Sequence, residues 1–74
     1  MTKPKEGNIL DMGHRIKVAR VDARLKQKDL AKKLGVKACT ISLWEANKRI
    51  MSAQTLGNIA YILNKPVSYF YYEN

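Results

Sequence analysis

Gly35 constrains what this chain can fold into more than any other residue. It separates two short stretches of helical periodicity, one over 27–34 and one over 38–46. The first places Leu30, Ala31 and Leu34 on one face, and the second places Ile41 and Trp44 on one face. A glycine just after the last apolar residue of a helix suits the left-handed conformation that ends it. Two short helices therefore meet across Leu34-Gly35-Val36, with Ala31 small where they would cross closely. Val36, Ile41 and Trp44 anchor the second helix from one side. Lys37, Ala38, Cys39, Ser42 and Leu43 are left facing outward.

The rest of the chain supplies helices for that pair to pack on. A first helix is expected from about Asp11 to Arg24, with Ile16, Ala19 and Ala23 inward. Residues 1–8 are polar, contain Pro4 and Gly7, and read as a flexible arm before a domain over 9–74. Asn47 can take the left-handed conformation that ends the helix before it. Ser52 is a good N-cap for a fourth helix carrying Leu56, Ile59, Ala60 and Leu63. Pro66 suits the first turn of a fifth over about 66–72, with Val67, Phe70 and Tyr71 inward. No sustained alternation or hairpin turn signals a strand. With 74 residues there is room for one core, so the fold class is all-α, a compact five-helix domain.

The formal net charge of +8 is concentrated. Between Arg15 and Arg49 stand eleven Lys/Arg against Asp22, Asp29 and Glu45, whereas residues 1–14 and 50–74 are each balanced. A concentrated positive surface attracts polyanions through its field and through counterion release. The plainer reading of charge alone is a solvated face. Cys39 is the only cysteine, which excludes an internal disulfide and a cysteine-based zinc site. No apolar run approaches a membrane span, and the N-terminus has no secretory pattern, so a cytoplasmic protein is expected. His14 lacks companion ligands and reads as solvated. No nucleophile–base pair, phosphate loop or carboxylate cluster supports catalysis, so neither an enzyme nor a metal, cofactor or small-molecule ligand is expected.

Two short helices with one face outward are the geometry that lets a helix enter a major groove while its partner crosses the backbone. At this point the sequence resembles the phage-repressor-like (lambda/434 repressor and Cro type, XRE) helix-turn-helix family. The resemblance runs from about Arg15 to Tyr71. It is carried by R15-I16-K17 and Arg20, Q27-K28-D29-L30-A31, L34-G35-V36, T40-I41-S42, W44-E45, Lys48-Arg49, S52-x-x-T55-L56, I59-A60 and L63. It implies a five-helix lambda-repressor-like fold with the helix-turn-helix at about 27–46, and a transcriptional regulator of double-stranded DNA. Gln27 resembles the glutamine that contacts a phosphate. Lys37, Ala38, Cys39, Thr40, Ser42 and Leu43 match the recognition helix, and Lys48 and Arg49 the loop touching the backbone. Arg20 and Glu45 match a pair that meets as a salt bridge.

The chain departs from the family at instructive places. Members often have Gly at 24 and Ser at 26 and 37, whereas this chain has Arg24, Lys26 and Lys37. Lysine cannot accept from a backbone N–H, so both N-caps are expected to be weak, at about 1 kcal/mol each. Ala38, Cys39 and Leu43 are apolar where base-reading polar groups often stand, which favours thymine-methyl contacts, phosphates and DNA shape. Cys39 is read as a groove-facing small residue rather than a redox sensor. Trp44 is expected in the core. A homodimer on a palindromic operator is expected, with Tyr69, Tyr71 and Tyr72 of the C-terminal helix as the dimer contact. The alternative is a protein-interaction adaptor or antitoxin-like subunit docking a partner through those aromatics.

Overall fold

Ile16 and Ala19, three residues apart, are both almost wholly removed from solvent and define the inner side of α1 (Pro4–Asp22). The computed structural model describes residues 4–71, and side chains from Met12 to Tyr71. α1 is followed by α2 (Gln27–Leu34), α3 (Ala38–Glu45), α4 (Ala53–Leu63) and α5 (Ser68–Tyr71), with no strand among the described residues. Ile16, Leu30, Ile41, Leu56, Ile59 and Phe70 are the largest fully buried side chains, so every helix contributes to one core.

The helix ends follow local chemistry. Proline suits a first helical position because its missing N–H would be unpaired there anyway. α1 accordingly begins at Pro4, so positions 4–8 of the expected arm are helical, while residues 1–3 lie outside the described residues. α1 stops at Asp22 because Arg24 turns left-handed, with φ 62°. Ala23, expected inward, is exposed because the chain leaves the helix there. Gly35 (φ 76°), Asn47 (φ 60°) and Asn64 (φ 59°) turn the chain after α2, α3 and α4 in the same way. Ser52 caps α4 by accepting from the Thr55 N–H at 3.1 Å. Pro66 and Val67 form the turn into α5 rather than its first turn, their carbonyls accepting from Tyr69 and Phe70. Val67 therefore stays 41% exposed, contrary to the inward expectation, and Phe70 alone plugs the core from α5.

The left-handed conformation costs a residue with a Cβ roughly 1–2 kcal/mol, and glycine almost nothing. Arg24 is exposed and carries a Cβ into this conformation. Arg24→Gly is expected to raise stability by about 1 kcal/mol, read as a higher urea midpoint. An unchanged or lower midpoint would contradict the strain.

α1 crosses the end of α3 at Gly13. A Cβ there would stand 2.5 Å from the Trp44 carbonyl oxygen and press on that of Glu45 as well. The Gly13 N–H also donates to Asn47 Oδ1 at 3.0 Å, tying α1 to the turn after α3. Gly13→Ala should force the two backbones apart at a cost of about 2–3 kcal/mol. Gly57→Ala, with open space around it, is the control. Thermal unfolding of the two variants checks this, and equal midpoints would defeat it.

Candidate nucleic-acid interface

Helix-forming backbone leaves its first N–H groups unpaired, and here the residues that usually satisfy them are missing. Lys26 and Lys37 hold the N-cap positions of α2 and α3 in extended backbone, and neither side chain caps. At α2 the deficit is partly met from inside, because Asp29 Oδ2 accepts from the Lys26 N–H at 2.9 Å. Asp29 was not singled out in the sequence. Its signal is an acid at the third helical position, half of a capping box. α3 has no acid in its first turn.

The turn between α2 and α3 is held by the Val36 N–H donating to the Ala31 carbonyl at 3.0 Å. Leu30 and Ala31 of α2 and Ile41 and Trp44 of α3 are buried together. Burying Ile41 and Trp44 fixes the rotation of α3, and Lys37, Ala38, Cys39 and Ser42 are left exposed. Thr40 is half-buried. Leu43 was expected to face outward and is half-buried instead, on the side where the Lys48 N–H closes onto its carbonyl at 2.9 Å. Lys48 and Arg49 are exposed in the loop beyond.

The end of α3 is tied to α1 and α2 through one carboxylate. Arg20 Nε donates to Glu45 Oε2 at 2.6 Å and Nη2 to Oε1 at 3.3 Å, a forked geometry that suits guanidinium and carboxylate. Their side chains are only 10% and 5% exposed. Arg20 Nη1 also donates to the Leu25 carbonyl at 2.8 Å, so the arginine fixes the α1–α2 loop too. Gln27 Nε2 donates to Glu45 Oε1 at 2.9 Å. The residue expected on a phosphate is thus half-buried and oriented by Glu45, with its second amide hydrogen left to donate elsewhere.

The tyrosines divide. Tyr69 is half-buried, its ring edge-to-face with Phe70 at 5.0 Å and flanked by Arg15 and Lys65 at 5.3 and 5.1 Å. Its carbonyl accepts from Arg15 Nη1 at 3.0 Å. Tyr71 is 44% exposed, and Tyr72 lies outside the described residues. Among the described residues no group of His, Cys, Asp or Glu could hold a metal ion.

A family model described as Helix-turn-helix matches residues 16–70. This chain belongs to the XRE-type helix-turn-helix family. Its helix-turn-helix is α2, the Gly35 turn and α3, and it is a DNA-binding transcriptional regulator. No curated protein matches the sequence. The crystal structure of the clp gene regulator ClgR from Corynebacterium glutamicum is similar in fold, with a TM-score of 0.79 at 19% identity, covering 85% of this chain and 67% of that one. No described helix of this helix-turn-helix protein is long and apolar enough to cross a membrane.

Proposed function

We propose that this regulator is a repressor that binds a palindromic operator as a homodimer, reading the major groove with α3. The observation that carries the reading is the rotation of α3. Ile41 and Trp44 are buried, so Lys37, Ala38, Cys39 and Ser42 form one exposed strip. Gln27, held by Glu45, and the exposed Lys48 and Arg49 flank that strip as phosphate contacts. The strip offers few polar groups, so Ala38 and Cys39 meet thymine methyls and much of the affinity comes from the phosphates. Bound across a promoter, such a dimer blocks it by occupancy alone. Two recognition helices about 34–36 Å apart would meet half-sites roughly ten base pairs apart. The similarity in fold to ClgR, a clp gene regulator, supports this reading.

Selecting bound sequences from a random duplex pool tests it, with a two-fold-symmetric site as the expected product. Affinity for that site should fall steeply with salt, with a log–log slope of about −0.9 per phosphate neutralised. Lys37→Ala should flatten the slope by about 1.8, one phosphate contact being lost from each subunit of the dimer. Fluorescence anisotropy over a salt series measures both. A slope near zero, or no enriched sequence, would overturn the proposal in favour of an adaptor that docks a protein.

A further inference from the structure

Trp44 is 7% exposed, yet its Nε1–H meets no acceptor in the structure. Buried donors are rarely left so, because each has given up its bond to water. The indole forms part of the wall of a groove of about 420 Å³, whose apolar remainder is Met12, Ile50, Met51 and Tyr71. Mostly apolar walls with one or two convergent polar groups are the make-up of a small-molecule site. The lining offers the indole little in return. Methionine sulfur is a weak acceptor, and Asn47 Oδ1 already accepts from the Gly13 N–H at 3.0 Å. Arg49 is the one charged residue of the lining, and among the described residues it pairs with no carboxylate.

We infer that this groove binds a small carboxylic acid with an aliphatic tail, and that the acid releases the protein from DNA. A carboxylate only accepts hydrogen bonds, so it answers both features of the wall at once. Arg49 supplies its counter-charge, and Trp44 Nε1–H donates to it. The tail lies along Met12, Met51 and Tyr71 and covers Ile50, which is 96% exposed. Met12 and Met51 pack against the core cluster that holds Trp44. Their side chains are unbranched and adaptable, so they shift to admit the acceptor to the indole. The net charge of +8 draws an anion towards the protein. Arg49 is also one of the proposed phosphate contacts. A carboxylate held on it removes that contact and sets a negative charge beside the DNA backbone, so acid and DNA weaken one another's binding by the same factor. This competition rests on the DNA reading above; the site itself does not.

Titration of the full chain with octanoate, without DNA, tests the site by calorimetry and by the emission of Trp44, the only tryptophan. One octanoate should bind per chain with a saturable shift in emission. Octan-1-ol, which has the tail but not the charge, should bind at least about tenfold more weakly. Arg49 is exposed in a loop, so Arg49→Gln should leave the circular dichroism unchanged and weaken octanoate about tenfold. Trp44→Phe keeps an aromatic ring without the N–H and should weaken octanoate by a similar factor in calorimetry. Octanoate that does not saturate at low millimolar concentration, octan-1-ol that binds as tightly, or an Arg49→Gln variant that binds octanoate as the wild type does would overturn the inference. With the selected duplex present, octanoate should weaken DNA binding of the wild type about tenfold and leave that of Arg49→Gln unaltered. A wild type that binds octanoate and keeps its full DNA affinity would overturn the competition. One that binds octanoate and no duplex at all would defeat the DNA reading and leave the site in place.

Discussion

Arg20→Ala is expected to destabilise the fold by about 3–5 kcal/mol, because it leaves a buried carboxylate without its cation. Glu45 would keep only the Gln27 amide, and the Leu25 carbonyl would lose its donor as well. The larger part of the effect is the charge left behind rather than the attraction lost. Replacing both partners with apolar residues of similar size, as in Arg20→Met with Glu45→Met, should therefore recover most of the stability. Salt should hardly alter the loss, since both side chains are shielded from solvent. Urea unfolding of the two variants checks this. An Arg20→Ala midpoint equal to the wild type would show that the pair is not buried in solution. The double variant should still lose DNA affinity, because nothing would then orient Gln27.

Trp44→Ala should cost a similar amount, about 3–5 kcal/mol, through the cavity it opens between the end of α3 and the rest of the core. The ring lies in the core cluster with Ile16 and Ile41, and Met12 and Met51 pack against that cluster. Trp44→Phe keeps most of the ring and removes an N–H that has no acceptor, so it should cost less than about 1.5 kcal/mol. Urea midpoints at constant slope distinguish the two substitutions. If the alanine variant kept full stability and lost only DNA binding, Trp44 would belong to the interface and not to the core.

The parts of the fold that were legible in the sequence are those where one residue type has one local job. Gly35 after Leu34, Ser52 before Ala53, and Asn47 after the Trp44 turn each mark a helix end by their own backbone preference or hydroxyl. The boundaries of α2 emerged at Gln27 and Leu34 for the same reason. What stayed hidden depends on which strangers meet. Gly13 reads as a neutral helical residue until the α3 carbonyls are seen to cross it. Gln27 reads as a phosphate contact at a helix start, and nothing in the sequence shows that Glu45, eighteen residues on, holds it. Ala23 and Val67 follow the apolar spacing but fall where the chain has already left, or not yet entered, its helix. Periodicity locates faces along an element and says little about its last turn.

The packing of α1 on α5 has a consequence for how the chain is made. Arg15 and Tyr69 are joined across 54 positions, and Phe70 seals the core that Ile16 begins. Synthesis at about 5–20 residues per second separates the two segments by roughly 3 to 10 s. Helices form in about a microsecond, so closure of the core is limited by the arrival of α5 and not by helix formation. Throughout that interval the inner face of α1 has only part of its final partners. Ile16 and its neighbours in the core are completed only when Phe70 arrives.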